Sequence, residues 1–88
     1  MVSIYKVEAI IKNKRAFDAT TVDYFVKTAS RFRSEIKIIK NGNIYNAKSL
    51  MGILTMLAER GKNLIIAAEG KDEVQATEAL HVFIENKI

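Results

Sequence analysis

The spacing of apolar positions changes repeatedly along this chain, and each change marks a new element. From Val2 to Ile11 the pattern alternates, with Tyr5, Val7, Ala9 and Ile11 on one side and Lys6 and Glu8 on the other. That period of two predicts a half-buried strand. From Asp18 to about Arg33 the apolar set Val22, Phe25, Val26, Ala29 and Phe32 recurs at steps of three and four, while Asp23, Lys27 and Arg31 fall elsewhere on the wheel. This is the pattern of an amphipathic helix. Asp18 stands at its start, where a carboxylate accepts from orphan backbone N–H groups and meets the positive end of the helix dipole.

Two further strands, Glu35 to Lys40 and Asn43 to Ala47, flank Asn41-Gly42. Both turn residues tolerate positive φ, so the segment predicts a tight hairpin. From Ser49 to about Glu59 a short helix carries Leu50, Met51, Ile53, Leu54, Met56 and Leu57, more apolar positions than one stripe accommodates. Some of them must face outward. Gly61 is expected to stop this helix in a left-handed conformation, and Lys62 to Glu69 supplies a fourth strand around Leu64 to Ala68. Asp72 with Gln75 three residues on resembles a capping-box variant opening a last helix, whose buried face should use Ala76, Ala79, Leu80, Phe83 and Ile84. The predicted order is βαββαβα.

Composition sets the outer bounds. Eighty-eight residues, 49% of them hydrophobic, suit one domain spanning 1–88. A domain of this size buries only about 60 to 65% of its unfolded surface, so marginal stability is expected. There is no cysteine, which removes disulfides and thiolate metal sites and leaves the cytoplasm as the expected location. No apolar run approaches the ~20 residues needed to span a bilayer, and no signal peptide or anchor is evident. Membrane insertion is not expected.

The net charge of +4 is uneven: residues 1–48 hold ten Lys or Arg against four Asp or Glu, and residues 49–88 hold four against six. The basic half includes Lys27, Arg31, Arg33, Lys37, Lys40 and Lys48. Nucleic-acid faces usually add aromatic residues, a clamping glycine loop or a recognition helix, and none is evident here. A solvated face is the expected reading, with an acidic protein partner next and direct nucleic-acid binding last.

Ser49 is the first candidate for chemistry. Ser49 precedes an apolar helix, as an N-cap or as a hydroxyl at which an added phosphoryl group would meet the helix dipole. His81, the single histidine, falls on the last helix away from its apolar face and is expected to be an inert surface residue. Asp72 and Glu73 open a helix, where the dipole explains them better than acid–base work does. No metal cluster and no phosphate-cradling glycine run is present, and no cofactor is expected.

Three blocks, Phe25 to Phe32, Asn46 to Gly52 and Ala68 to Glu73, together with Asn41-Gly42, resemble HPr, the small phosphocarrier of the bacterial sugar phosphotransferase system, in its order and approximate spacing. The resemblance covers nearly the whole chain. It implies an α+β fold, an open-faced β-sandwich in which a four-stranded antiparallel sheet is covered on one face by three helices. It also implies that Ser49 matches the family's regulatory serine. The family's catalytic histidine belongs to a Gly-x-His-x-Arg-Pro motif, and the gap-free match here is Ala16-Phe17-Asp18-Ala19-Thr20-Thr21. Asp18 takes the histidine position and Thr20 the arginine position. Carrier chemistry needs an imidazole nitrogen that accepts and releases phosphate, and an aspartyl phosphate needs a metal or cationic clamp. The chain is therefore expected to lack the usual carrier activity and to resemble the histidine-lacking, catabolite-repression branch of the family. Asp18 is then a plain cap, or a fixed negative charge standing where a phosphohistidine would be.

In the family, residues matching Leu50, Met51 and Leu54 dock on partner proteins, and Phe17 and Thr20 match the adjoining partner surface. Methionine adapts well to several partner shapes. Phosphorylation of Ser49 would place about −1.5 to −2 charges beside that patch and alter partner choice. The resemblance implies protein partners: a serine kinase/phosphorylase of HPr, a transcriptional regulator, or phosphotransferase-system components. The lost arginine puts the regulator contact in question. A homodimer stays open. Against this regulatory, non-enzymatic role stand a phosphocarrier with a substitute acceptor and a repurposed scaffold for an unrelated partner.

Overall fold

The computed structural model describes residues 4–12 and 18–86. Its elements are β1 (Tyr5–Ile10), α1 (Ala19–Ser30), β2 (Glu35–Lys40), β3 (Asn43–Asn46), α2 (Leu50–Ala58), β4 (Asn63–Glu69) and α3 (Glu73–Asn86). The order is the βαββαβα read from periodicity. All strand pairs are antiparallel and the sheet order is β1-β4-β2-β3, so the last strand inserts between the first two.

One face of the sheet is covered. Ala9, Ile36, Ile38, Leu64, Ile66 and Ala68 point into a core shared with Val22, Phe25, Ile53, Met56, Leu80 and Ile84 from the helices. α3 lies on β1 and β4, α2 on β3, and α1 against α2 and α3. The opposite face carries Lys6, Glu8, Glu35 and Lys37, all exposed. This is the open-faced α+β sandwich. Period two decides which face is buried: in β1, Tyr5 is exposed, Val7 half-buried and Ala9 buried, with Ile11 just past the strand also buried, so only the end under the helices loses its water.

The hairpin turn is as expected. Asn41 and Gly42 have φ of +54° and +79°, the left-handed pair that a two-residue turn between right-twisted strands requires. Other boundaries differ from expectation for identifiable reasons. Val2 lies outside the described residues; among those described, β1 leaves out Ile11, which still donates its N–H to Lys62 O at 2.8 Å. α1 ends at Ser30, because Arg31 and Phe32 donate to Thr28 O and Ala29 O in tighter bonds three residues back. Phe32 nevertheless packs on the core from beyond the helix. Gly61 does not end α2: the helix stops at Ala58 with Glu59 extended, and Gly61 (φ +96°) turns the following loop into β4.

On α3 the buried positions are Ala76, Thr77, Leu80, Phe83 and Ile84, with Thr77 replacing the expected Ala79. The Thr77 hydroxyl hides its polarity by donating to Glu73 O at 2.9 Å or Val74 O at 3.0 Å. The expected capping box also needs correction. Asp72 accepts Ala76 N–H through its carbonyl, but its carboxylate is turned to the α1–β2 loop, not toward Gln75. Glu73 supplies a reciprocal bond by accepting Gly70 N–H at 3.1 Å.

Candidate functional site

Ser49 is the N-cap of α2. Its backbone is extended (φ −106°, ψ 119°) and its Oγ accepts Gly52 N–H at 3.0 Å, satisfying one of the donors that every helix start leaves open. The chain leading to it is fixed. Asn46 accepts Lys48 N–H through Oδ1 at 2.9 Å and Ser49 N–H through its carbonyl at 3.0 Å, and Ala47, fully buried, donates to Ile36 O. The hydroxyl is half-buried on a stiff support.

The helix behind it has two apolar faces. Ile53 and Met56 are buried, and Leu57 packs against the core from a half-buried position. Leu50, Met51 and Leu54 face outward with 44, 72 and 42% of their surface exposed. These steps of one, three and four residues place the three on one side of the helix, directly after Ser49. The excess of apolar positions thus resolves into a core stripe and a solvent-facing patch.

Asp18 is the N-cap of α1, accepting Thr21 N–H at 2.9 Å, and it is exposed. That backbone bond from Thr21 holds its carboxyl below the usual carboxylate range. Thr20 sits exposed in the first turn and, with Thr21, Tyr24 and Phe83, lines an open recess of about 310 Å³. Tyr24 and Phe83 stack there with centroids 5.7 Å apart. Phe17 lies outside the described residues. The two caps share a geometry but not a chemistry: one is a permanent anion, the other a neutral hydroxyl.

Three residues matter here in ways the sequence reading missed. Lys40 is buried, not part of a solvated basic face: its Nζ donates to Met56 O at 3.2 Å and Glu59 O at 3.0 Å, at the negative end of α2. The signal was present, since Lys40 shares strand parity with Ile36 and Ile38. Lys48, half-buried, donates through Nζ to Phe32 O at 2.7 Å and ties the β3–α2 connection to the end of α1. Asp72 accepts Ser34 Oγ at 2.5 Å, Arg33 N–H at 2.9 Å and Ser34 N–H at 3.0 Å. The Ser34 hydroxyl first, and then the Arg33 N–H, pull its carboxyl down to about 2. No local pattern announces that contact, because it joins loops nearly forty residues apart.

His81 is half-buried on α3, with Nε2 3.0 Å from Glu85 Oε2. Lys27, Arg31, Arg33 and Lys37 are exposed, as a solvated basic face requires. Among the described residues no cluster of His, Asp or Glu is arranged to hold a metal ion, and no helix is long and apolar enough to cross a membrane.

The sequence profile of the PTS HPr component phosphorylation site matches residues 5–86. With this fold and these two capped helices, the chain belongs to the HPr family of the phosphotransferase system. The HPr-like protein Crh of Halalkalibacterium halodurans is 42% identical over 77 residues, covering 88% of this chain and 92% of that protein. An HPr crystal structure from Thermoanaerobacter tengcongensis superposes with a TM-score of 0.84 at 41% identity, over 94% of this chain and 93% of that one. Bacillus subtilis Crh, solved as an intertwined, swapped dimer, gives a TM-score of 0.72 at 32% identity over 81% of this chain and 82% of that chain.

Proposed function

We propose that this protein is a regulatory, non-enzymatic member of its family, switched by phosphorylation of Ser49 and acting through protein docking in which Leu50, Met51, Leu54, Thr20 and Phe17 take part. The observation that carries the reading is the pairing on α2 of a cap hydroxyl with an outward apolar patch in which Met51 keeps 72% of its surface. A phosphoryl group on Ser49 would add about −1.5 to −2 charges at the head of that patch, repelling an acidic partner and attracting one that presents arginine. The fold would change little, because Ile53 and Met56 anchor the helix from its other side.

Carrier activity does not fit the other cap. Asp18 offers an acceptor without an imidazole's leaving ability, and Thr20 beside it brings no positive charge to offset a phosphoryl group. Two incubations test this: phosphoenolpyruvate with the system's first enzyme, and ATP with the HPr serine kinase. Label on Ser49 in the second tube alone supports regulation. Label on Asp18 in the first supports a substitute carrier, and label in neither a repurposed scaffold. We place the protein in the cytoplasm with those partners. A homodimer fits the same reading on the precedent of swapped Crh, and sedimentation velocity would show it as a doubled mass.

A further inference from the structure

Gly52 is the third residue of α2, with no positive φ to account for a glycine. At an ordinary helical position alanine is the better helix former, so the backbone supplies no reason for glycine here. The space around it does. A Cβ at this position would lie 3.2 Å from Asn46 O, 3.3 Å from Ser49 Cβ and 3.3 Å from Ser49 Oγ. Asn46 O is held in place, because it accepts Ser49 N–H and its own side chain accepts Lys48 N–H. The group left to yield is the Ser49 side chain, and a shift of it strains the cap bond to Gly52 N–H.

We infer that Gly52 is the positioning residue that makes Ser49 modifiable: its missing side chain leaves the room a phosphoryl group on Oγ needs, while its N–H orients that oxygen. This rests on the proposed phosphorylation of Ser49. In that step Ser49 Oγ bonds to the γ-phosphorus of a nucleoside triphosphate, the bond from that phosphorus to the β,γ-bridging oxygen breaks, and the diphosphate leaves. The hydroxyl proton passes to a base of the kinase. The new tetrahedral group carries three oxygens around Oγ, and a methyl group 3.3 Å from that atom would stand among them. Glycine removes the obstruction and keeps the N–H that bonds Oγ.

The test compares kcat/KM for phosphorylation of Ser49 by the HPr serine kinase with ATP in the intact wild-type chain, Gly52→Ala, and the core control Ile38→Val, with folding followed by circular dichroism. The expected result is at least a tenfold loss for Gly52→Ala with near wild-type labelling of Ile38→Val. Equal labelling of wild type and Gly52→Ala would overturn the inference and leave the Ser49 reading standing. An equal loss in Ile38→Val would also overturn it, by assigning the effect to general destabilisation. An unlabelled wild-type chain would overturn the Ser49 reading, and the inference with it.

Discussion

The starts of α1 and α2 solve one problem with different atoms. Asp18 accepts Thr21 N–H at 2.9 Å and Ser49 accepts Gly52 N–H at 3.0 Å, each three residues ahead. The carboxylate is charged at every physiological pH and its bond from Thr21 keeps it so, whereas the hydroxyl is neutral and open to esterification. Their surroundings diverge in the same sense. Asp18 is exposed, on a helix whose recess is lined by Tyr24 and Phe83, while Ser49 is half-buried beside an apolar patch on a tied loop. Equal capping geometry therefore leaves one helix headed by a charged acceptor and the other by a neutral hydroxyl.

The strongest challenge to that contrast lies beneath α2. Ile53 is fully buried, so Ile53→Ala should cost about 2–5 kcal/mol in urea unfolding. Met51→Ala, on the outward patch, should stay within about 0.5 kcal/mol and instead weaken partner binding. Similar stability losses at both positions would show that the patch is core and would remove the docking surface from the comparison. Next in size is Lys40→Met, which removes the buried ammonium that donates to Met56 O and Glu59 O at the end of α2. It should cost about 1–3 kcal/mol by the same assay and speed amide exchange in α2 more than in α1.

Ser49→Ala should abolish serine labelling and, as a lost cap, cost about 0.5–2 kcal/mol. Partner affinity equal in Ser49→Ala and Ser49→Asp would break the comparison at its centre, since charge at that cap would then carry no information. The smallest effect belongs to Asp18→Ala, a modest fall in melting temperature that depends on pH. Asp18 has a folded-state pKa below its unfolded value, so its contribution is complete above about pH 4 and disappears as pH falls through the folded value. The variant and wild type should therefore converge in acid. Asp72, lowered to about 2, follows the same sign, and Asp72→Asn should flatten the loss of stability between about pH 4 and 2.

Local rules made most of the architecture legible. Period two found the strands, period three-to-four found α1, and Asn41-Gly42 fixed the hairpin, because each depends on neighbours in the chain. Both caps were legible for the same reason. Errors arose where a distant segment decides, as at Asp72, and where a local detail outweighs the simple period. The Asp72 carboxylate leaves its own helix because Ser34 and Arg33 arrive from another loop, and α1 stops early where its last carbonyls accept tighter bonds. Lys40 was misread as surface because charge outweighed parity, although parity was correct. Thr77 is buried in place of Ala79 because its hydroxyl finds backbone acceptors within its own helix.

The sheet order imposes a schedule on biosynthesis. β1 ends at Ile10, yet its sole neighbour in the sheet, β4, begins at Asn63. While the ribosome is extending the chain, β1 waits through α1, the hairpin and α2 before its partner strand β4 is made. The hairpin closes through a two-residue turn, so β2–β3 is the most local pairing of the sheet and β1–β4 the most distant. Slow translation between residues 47 and 69 would lengthen that wait, during which an unpaired strand is open to chaperones and to other nascent chains.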